Sequence, residues 1–150
     1  MESTGRISSY KELIVWQKAV ELVAEVYAAS SQFPREEVFG LVSQMRRCAV
    51  SVPSNIAEGQ GRATKGEFVQ FLSHARGSLF ELETQLLIAA KLGYLSPQRH
   101  EHLGLRTEEV ARILNGLLTS LGVARREPST IHDPLATKGK FGLEGSFLNG

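Results

Sequence analysis

A helical pattern that continues through a proline is the feature that most constrains this chain. Apolar residues recur every three or four positions, as on one face of an α-helix, at Val38, Val42, Met45, Ala49, Val52 and Ile56. Pro53 lies inside this run, and a proline within a helix removes one backbone hydrogen bond and costs about 3 kcal/mol. Because the pattern keeps its phase beyond Pro53, it predicts one helix, kinked at the proline and ending at Gly59 and Gly61.

The opposite face of this helix is equally periodic but polar. It carries amides, hydroxyls, two arginines and a carboxylate, at Gln44, Arg47, Ser51, Ser54, Glu58 and Arg62. Polar side chains of this kind hold neighbouring helices in register when their hydrogen bonds are satisfied. We therefore predict a polar network, between helices or between subunits, that consists of Gln44, Ser51, Asn55, Glu58, Arg76 and Glu83.

Three further helices are predicted around this one. The first runs from Tyr10 to Gln32, with an apolar face at Leu13, Trp16, Val20, Val23 and Tyr27. Phe33-Pro34 ends it, and the proline-containing helix begins near Pro34 or Arg35. The third runs from Lys65 to Leu92 behind a Thr64–Glu67 capping box, and the fourth from Ser96-Pro97 to about Val123. Four amphipathic helices with short connections predict an all-α, antiparallel up-down-up-down four-helix bundle.

The third helix has more apolar surface than a single face. Beside its main stripe, a second row at Val69, Phe80 and Leu87 lies about 120° round the helix, and residues 86–90 are apolar without interruption. A helix that is apolar on every side is buried on every side. A 150-residue bundle cannot cover such a helix alone, so we predict a homo-oligomer.

Composition narrows the class of protein. Hydrophobic residues make up 42% and charged residues 22% of the chain, as in ordinary globular proteins, and the formal net charge is +1. No apolar run approaches the roughly 20 residues of a membrane span, and the start carries no apolar signal region, so a cytoplasmic protein without a membrane partner is expected. The predicted organisation is a flexible N-terminus at 1–9, a four-helix bundle at 10–124 and a mostly disordered tail at 125–150.

Four segments resemble a known family. They are YKELIVWQKAVELV at 10–23, FGLVSQMRRCAVSVPSNIAEGQGR at 39–62, FVQFLSHARGSLFELETQL at 68–86 and LGYL at 92–95. They are similar to the four-helix bundle proteins of intervening sequences in bacterial 23S ribosomal RNA genes. That resemblance implies an antiparallel bundle that assembles as a ring of five subunits. The broader group is also similar to accessory proteins of diversity-generating retroelements, which bind nucleic acid and a reverse transcriptase, and most members have no established activity.

The residue pattern does not indicate a catalytic site or a metal site. None of the four histidines completes a Glu-x-x-His motif, and Cys48 is the only cysteine, so no metal site and no cofactor are expected. The run from Gly61 to Gly66 is followed by Glu67 where a phosphate-binding loop has its lysine, and no predicted strand precedes it. Asn55, Glu58 and Arg76 could line an acid–base pocket, but a structural network is favoured. We predict no catalytic residue and no enzymatic activity.

Basic residues cluster around the proline-containing helix. Between Val42 and Lys65 the only acid is Glu58, whereas the basic residues are Arg46, Arg47, Arg62 and Lys65. We predict that these four bind RNA or DNA through backbone phosphates, with avidity raised by repetition in an oligomer. No aromatic residues interleave with them for base stacking, so poor sequence specificity is expected. The alternative is a structural adaptor for a protein such as a reverse transcriptase, with the arginines used in ion pairs between subunits.

Overall fold

Four α-helices and no β-strand make up the part of the chain that the structure, a computed structural model, describes, residues 9–124. The α-helices are α1 Ile14–Ser30, α2 Leu41–Gln60, α3 Lys65–Lys91 and α4 Pro97–Ser120. Short 3-10 turns at Tyr10–Glu12 and Arg35–Glu37 precede α1 and α2. The predicted tail at 125–150 and all but the last residue of the predicted N-terminal segment 1–9 lie outside the described residues.

The helices enclose one hydrophobic core. α1 packs against α2 and α4, and α3 packs against the same two helices, with α2 and α3 forming the most extensive contact. The largest fully buried side chains come from all four helices and include Leu22, Met45, Ile56, Leu72, Leu79, Leu82, Leu86, Leu114 and Leu118. The all-α prediction is thereby confirmed. None of the helices within residues 9–124 combines the length and the hydropathy that crossing a bilayer requires.

Helix α2 continues through Pro53, as its periodicity predicted. Pro53 is inside the helix and buried, and so are the residues of the predicted apolar face from Val42 to Ile56. The predicted start near Pro34 is wrong, because α2 begins only at Leu41. Gly40 leaves the helical region (φ −109°, ψ −112°), and the Glu37 carboxylate accepts a hydrogen bond from the Leu41 N–H at 3.0 Å. The segment before α2 is therefore a separate, hydrogen-bonded turn.

The predicted apolar face of the first helix needs correction. The buried residues of α1 are Val15, Ala19, Leu22, Val26, Ala29 and Ser30. Trp16 and Val23 are half-buried, whereas Val20 and Tyr27 are exposed. The predicted and observed faces differ by one position, about 100° of rotation. Small residues such as Ala19 and Ala29 face the core, and the aromatic residues lie at its edge, where Trp16 packs edge-on against Tyr10.

The ends of α3 and α4 follow the predicted signals. The Glu67 N–H donates to the Thr64 hydroxyl at 3.2 Å, so Thr64 caps α3 as expected. Gly93 ends α3 with φ +81°, a conformation that favours glycine. Ser96 accepts from the Arg99 N–H at 3.2 Å and caps α4, which ends at Ser120, three residues before the predicted end. These caps fix the connections between helices.

Candidate nucleic-acid interface

A groove with a basic and aromatic lining runs along the outer side of α1 and α2. Its volume is about 760 Å³, and we call it the arginine groove. It is lined by Tyr27, Ser30, Ser31, Phe33, Arg35, Val38, Phe39, Val42, Ser43, Arg46, Arg47 and Val50. Three arginines and three serines thus meet there, and within residues 9–124 no aspartate or glutamate contributes to the lining. Such a surface offers hydrogen-bond donors to an anion.

Arg46 is held in place by α1. Its Nε donates to the Ser30 hydroxyl at 3.0 Å, and its Nη2 donates to the Tyr27 carbonyl at 3.3 Å. Its guanidinium also stacks over the Tyr27 ring, with Cζ 4.4 Å from the ring centroid. A cation near the last turn of α1 is favoured by the helix dipole. Arg46 therefore contributes a fixed positive charge to the lining of the groove.

Arg35 and Arg47 are exposed at the groove, and within the described chain neither forms an ion pair. The carboxylate oxygens of the nearby Glu37 accept hydrogen bonds from the Leu41 N–H and from the Tyr94 hydroxyl, the latter at 3.3 Å, and neither oxygen pairs with Arg35 or Arg47 within the described residues. Both arginines keep their donors available for an external anion, and an arginine presents two donors to a phosphate in a geometry that lysine lacks.

The structure separates the four residues predicted to bind nucleic acid. Arg46 and Arg47 lie in the arginine groove, whereas Arg62 follows the opposite end of α2, about 22 Å away along the helix, and Lys65 begins α3. Arg62 pairs with Glu58 at 2.7 Å and lies over the Phe71 ring. The sequence prediction missed Arg35, which joins Arg46 and Arg47 in the groove because the turn at Arg35–Glu37 packs against α2.

Aromatic side chains accompany the arginines, contrary to the prediction of none. Tyr27 comes from α1 and Phe39 from the turn before α2, so they reach the same groove through folding. The exposed fraction of Phe39 is 96%. Only its position two residues before Leu41, outside the apolar periodicity, could have indicated an exposed ring.

The predicted polar network separates into two parts and an ion pair. Between α2 and α3, the hydroxyls of Ser51 and Ser78 are 2.8 Å apart, and the Asn55 amide donates to the Ser51 carbonyl (2.8 Å) and hydroxyl (2.9 Å). Between α3 and α4, Arg76 Nη1 donates to Asn115 Oδ1 at 3.5 Å. Glu58 is engaged by Arg62, and Gln44 is exposed.

Glu83 also faces α4. Burial, and then the carboxylate of Glu108, raise the pKa of Glu83 above its usual value. Because the folded state holds this proton more tightly than the unfolded state, the ionised carboxylate disfavours folding at neutral pH. This penalty fades as the pH falls through the raised pKa. Within the described residues, no ion pair joins Glu83 to Arg76.

Cys48 is poorly suited to nucleophilic chemistry. Its thiol donates to Glu81 Oε2 at 3.1 Å and accepts from Gln85 Nε2 at 3.4 Å. Burial, followed by the hydrogen bond to Glu81, raises the pKa of the thiol to about 11, so the reactive thiolate is scarce at neutral pH. In the described part of the chain, no cluster of three or more His, Cys, Asp or Glu residues could hold a metal ion.

Comparison with known proteins places this fold in a family. A protein of unknown function from the S23 ribosomal protein family of Bacteroides thetaiotaomicron has a similar crystal structure, with a TM-score of 0.66 and 19% identity. The alignment covers 71% of this chain and 96% of that one. None of the curated proteins compared matches significantly. The family model described as "23S rRNA-intervening sequence protein" matches residues 11–116, and the chain belongs to this family.

Proposed function

We propose that this chain is a non-enzymatic protein that binds RNA or DNA through backbone phosphates, and that the arginine groove is its binding surface. The observation that carries the proposal is the groove lining, in which Arg35, Arg46 and Arg47 meet three serines and, among residues 9–124, no carboxylate. Phosphates are bound in this way by arginine side chains and hydroxyls. Arg62 and Lys65 lie too far from this groove to bind the same few phosphates.

We further propose that the four helices form an antiparallel up-down-up-down bundle and that copies assemble, as the family resemblance implies, into a ring of five. The second apolar row of α3 supports self-association, since 55% of Phe80 and 46% of Leu87 is exposed in the single chain. Five copies of 16.5 kDa would have a mass of about 82 kDa. Repeating a weak groove five times would raise its avidity for a long polyanion.

A second candidate is a cytoplasmic adaptor that recruits a protein partner, such as a reverse transcriptase, as the resemblance to retroelement accessory proteins implies. The exposed Phe80 and Leu87 favour this candidate, because an uncovered apolar row is also a surface for a protein partner. In this case the arginines form ion pairs between subunits, and reversing their charge disrupts assembly. The two candidates therefore differ in what the arginines contact.

Reversing the charge of Arg35 and Arg47 tests the proposal. The wild type should bind a structured RNA hairpin with micromolar or tighter affinity that falls steeply with salt, as measured by fluorescence anisotropy. Arg35→Glu combined with Arg47→Glu should lower affinity about tenfold or more and reduce the slope of log affinity against log salt by about two, since two phosphate contacts are lost.

The matched control is Arg99→Glu combined with Arg112→Glu, which makes the same change in net charge at two exposed positions of α4. The control should lower affinity much less than the groove variant, and light scattering should give both variants the mass of the wild type. An equal loss in the control would refute the groove as the binding surface. A changed mass only in the groove variant would favour the adaptor.

A further inference from the structure

Phe39 is the most exposed large apolar side chain in the described part of the chain, and its backbone is nonetheless well held. The Val38 N–H donates to the Arg35 carbonyl at 3.1 Å, and the Gly40 N–H donates to the Glu37 carbonyl at 3.0 Å. The Leu41 N–H donates to the Glu37 carboxylate immediately afterwards. Hydrogen bonds on both sides therefore place the ring at the edge of the arginine groove, where it contributes almost nothing to the core.

The surroundings of this ring match those of a base-stacking platform. Arg35 and Arg47 line the same groove without forming an ion pair within the described residues, and the exposed Tyr27 ring lines it too, with Arg46 stacked over it. Proteins that bind unpaired strands combine a positively charged groove with exposed aromatic rings on which bases stack. The groove volume of about 760 Å³ falls within the roughly 300–1,000 Å³ typical of small-ligand sites, which leaves room for a nucleotide.

Stacking on Phe39 requires a base that is not already stacked in a helix. In a duplex the faces of the bases are covered by their neighbours, so an exposed ring adds nothing to duplex binding, whereas the arginines contact phosphates of either form. A groove built only for backbone phosphates has no use for the ring.

We infer that the arginine groove binds an unpaired nucleic-acid strand, with one base stacked on Phe39 and adjacent phosphates bound by Arg35 and Arg47. The inference rests on the proposed function and narrows it to single strands. Bases that can stack and backbone phosphates occur in both RNA and DNA. The experiment therefore compares RNA strands with DNA strands. A second copy of the chain covering Phe39 is the competing occupant.

The test compares 12-nucleotide single strands of RNA and DNA with the corresponding duplexes, each strand carrying one 2-aminopurine. The wild type should bind single strands more tightly than duplexes and quench 2-aminopurine fluorescence on binding. Phe39→Ala should weaken single-strand binding about tenfold, because base–aromatic stacking is worth roughly 1–3 kcal/mol per base, and should leave duplex binding within about twofold. Phe39→Trp should restore both affinity and quenching. A preference for RNA or for DNA identifies the source of the strand.

Three outcomes would overturn the inference. The first is equal single-strand affinity for Phe39→Ala and the wild type. If Arg35→Glu with Arg47→Glu still loses binding in that case, the proposed function stands but without base stacking. The second is equal loss of single-strand and duplex binding in Phe39→Ala. The third is a change in assembly mass in Phe39→Ala, which would identify the ring as a contact between copies.

Discussion

Leu82→Ala should lower the free energy of unfolding by about 3–5 kcal/mol, because the removed atoms leave a cavity in a core that relaxes only partly. The Leu82 side chain is fully buried on the face of α3 that the other helices cover. Urea denaturation at one fixed protein concentration measures the change, since the stability of an oligomer depends on concentration.

Leu105→Ala is the matched control for Leu82→Ala. It removes the same atoms from a helical leucine that is 59% exposed, and we expect a change within about 0.5 kcal/mol. A loss below about 1 kcal/mol for Leu82→Ala would contradict the placement of the core. A loss for Leu105→Ala as large as for Leu82→Ala would show that another surface covers α4.

Gly59→Ala and Gly77→Ala should change stability in opposite directions. A Cβ at Gly59 would lie 2.7 Å from Phe71 Cβ and 3.1 Å from Phe68 Cδ2, so α2 and α3 must separate, at a cost of about 1–3 kcal/mol. A Cβ at Gly77, inside α3, meets nothing within 4 Å, and alanine there should stabilise the helix by about 1 kcal/mol.

Thermal or urea unfolding of the two glycine variants measures this difference, which should be about 2–4 kcal/mol in total. Stabilisation by both substitutions would contradict the close approach of α2 and α3 at Gly59. Destabilisation by Gly77→Ala would instead show that the outer face of α3 is covered, as contact between copies would produce. Many other residues of α2 and α3 also contribute to the contact between these two helices. The comparison therefore reports only on the surroundings of Gly59 and Gly77.

Sequence periodicity predicted the fold well where one face alone was apolar. In α2, the apolar residues from Val42 to Ile56 form a single stripe. The helix and its buried face could therefore be predicted from the sequence, even across Pro53. In α1, two neighbouring faces are apolar, one with Leu22 and Val26 and the other with Val23 and Tyr27. Their spacing is identical, and only packing against α2 and α4 decides which is buried.

The candidate site was predictable only in part, because it is built from separate segments. Arg46 and Arg47 stand out as basic residues on α2, but Arg35 reaches them through the turn before that helix. Tyr27 appeared to belong to the core, and Phe39 lay inside a helix predicted to start too early. Arg62 was included because it belongs to the basic stretch between Val42 and Lys65, although the length of α2 separates it from Arg47.

Photo-crosslinking tests the location of binding most directly. RNA that contains 4-thiouridine would be bound to the full chain, irradiated and digested with trypsin, and the crosslinked peptides identified by mass spectrometry. Binding in the arginine groove predicts that crosslinks concentrate on the peptide from Glu36 to Arg46, which contains Phe39. In Arg35→Glu with Arg47→Glu the same residues lie in the longer tryptic peptide that begins at Ala19, and crosslinks to that peptide should disappear. Crosslinks concentrated near Lys65 or on α4, or none at RNA concentrations that saturate binding, would contradict it.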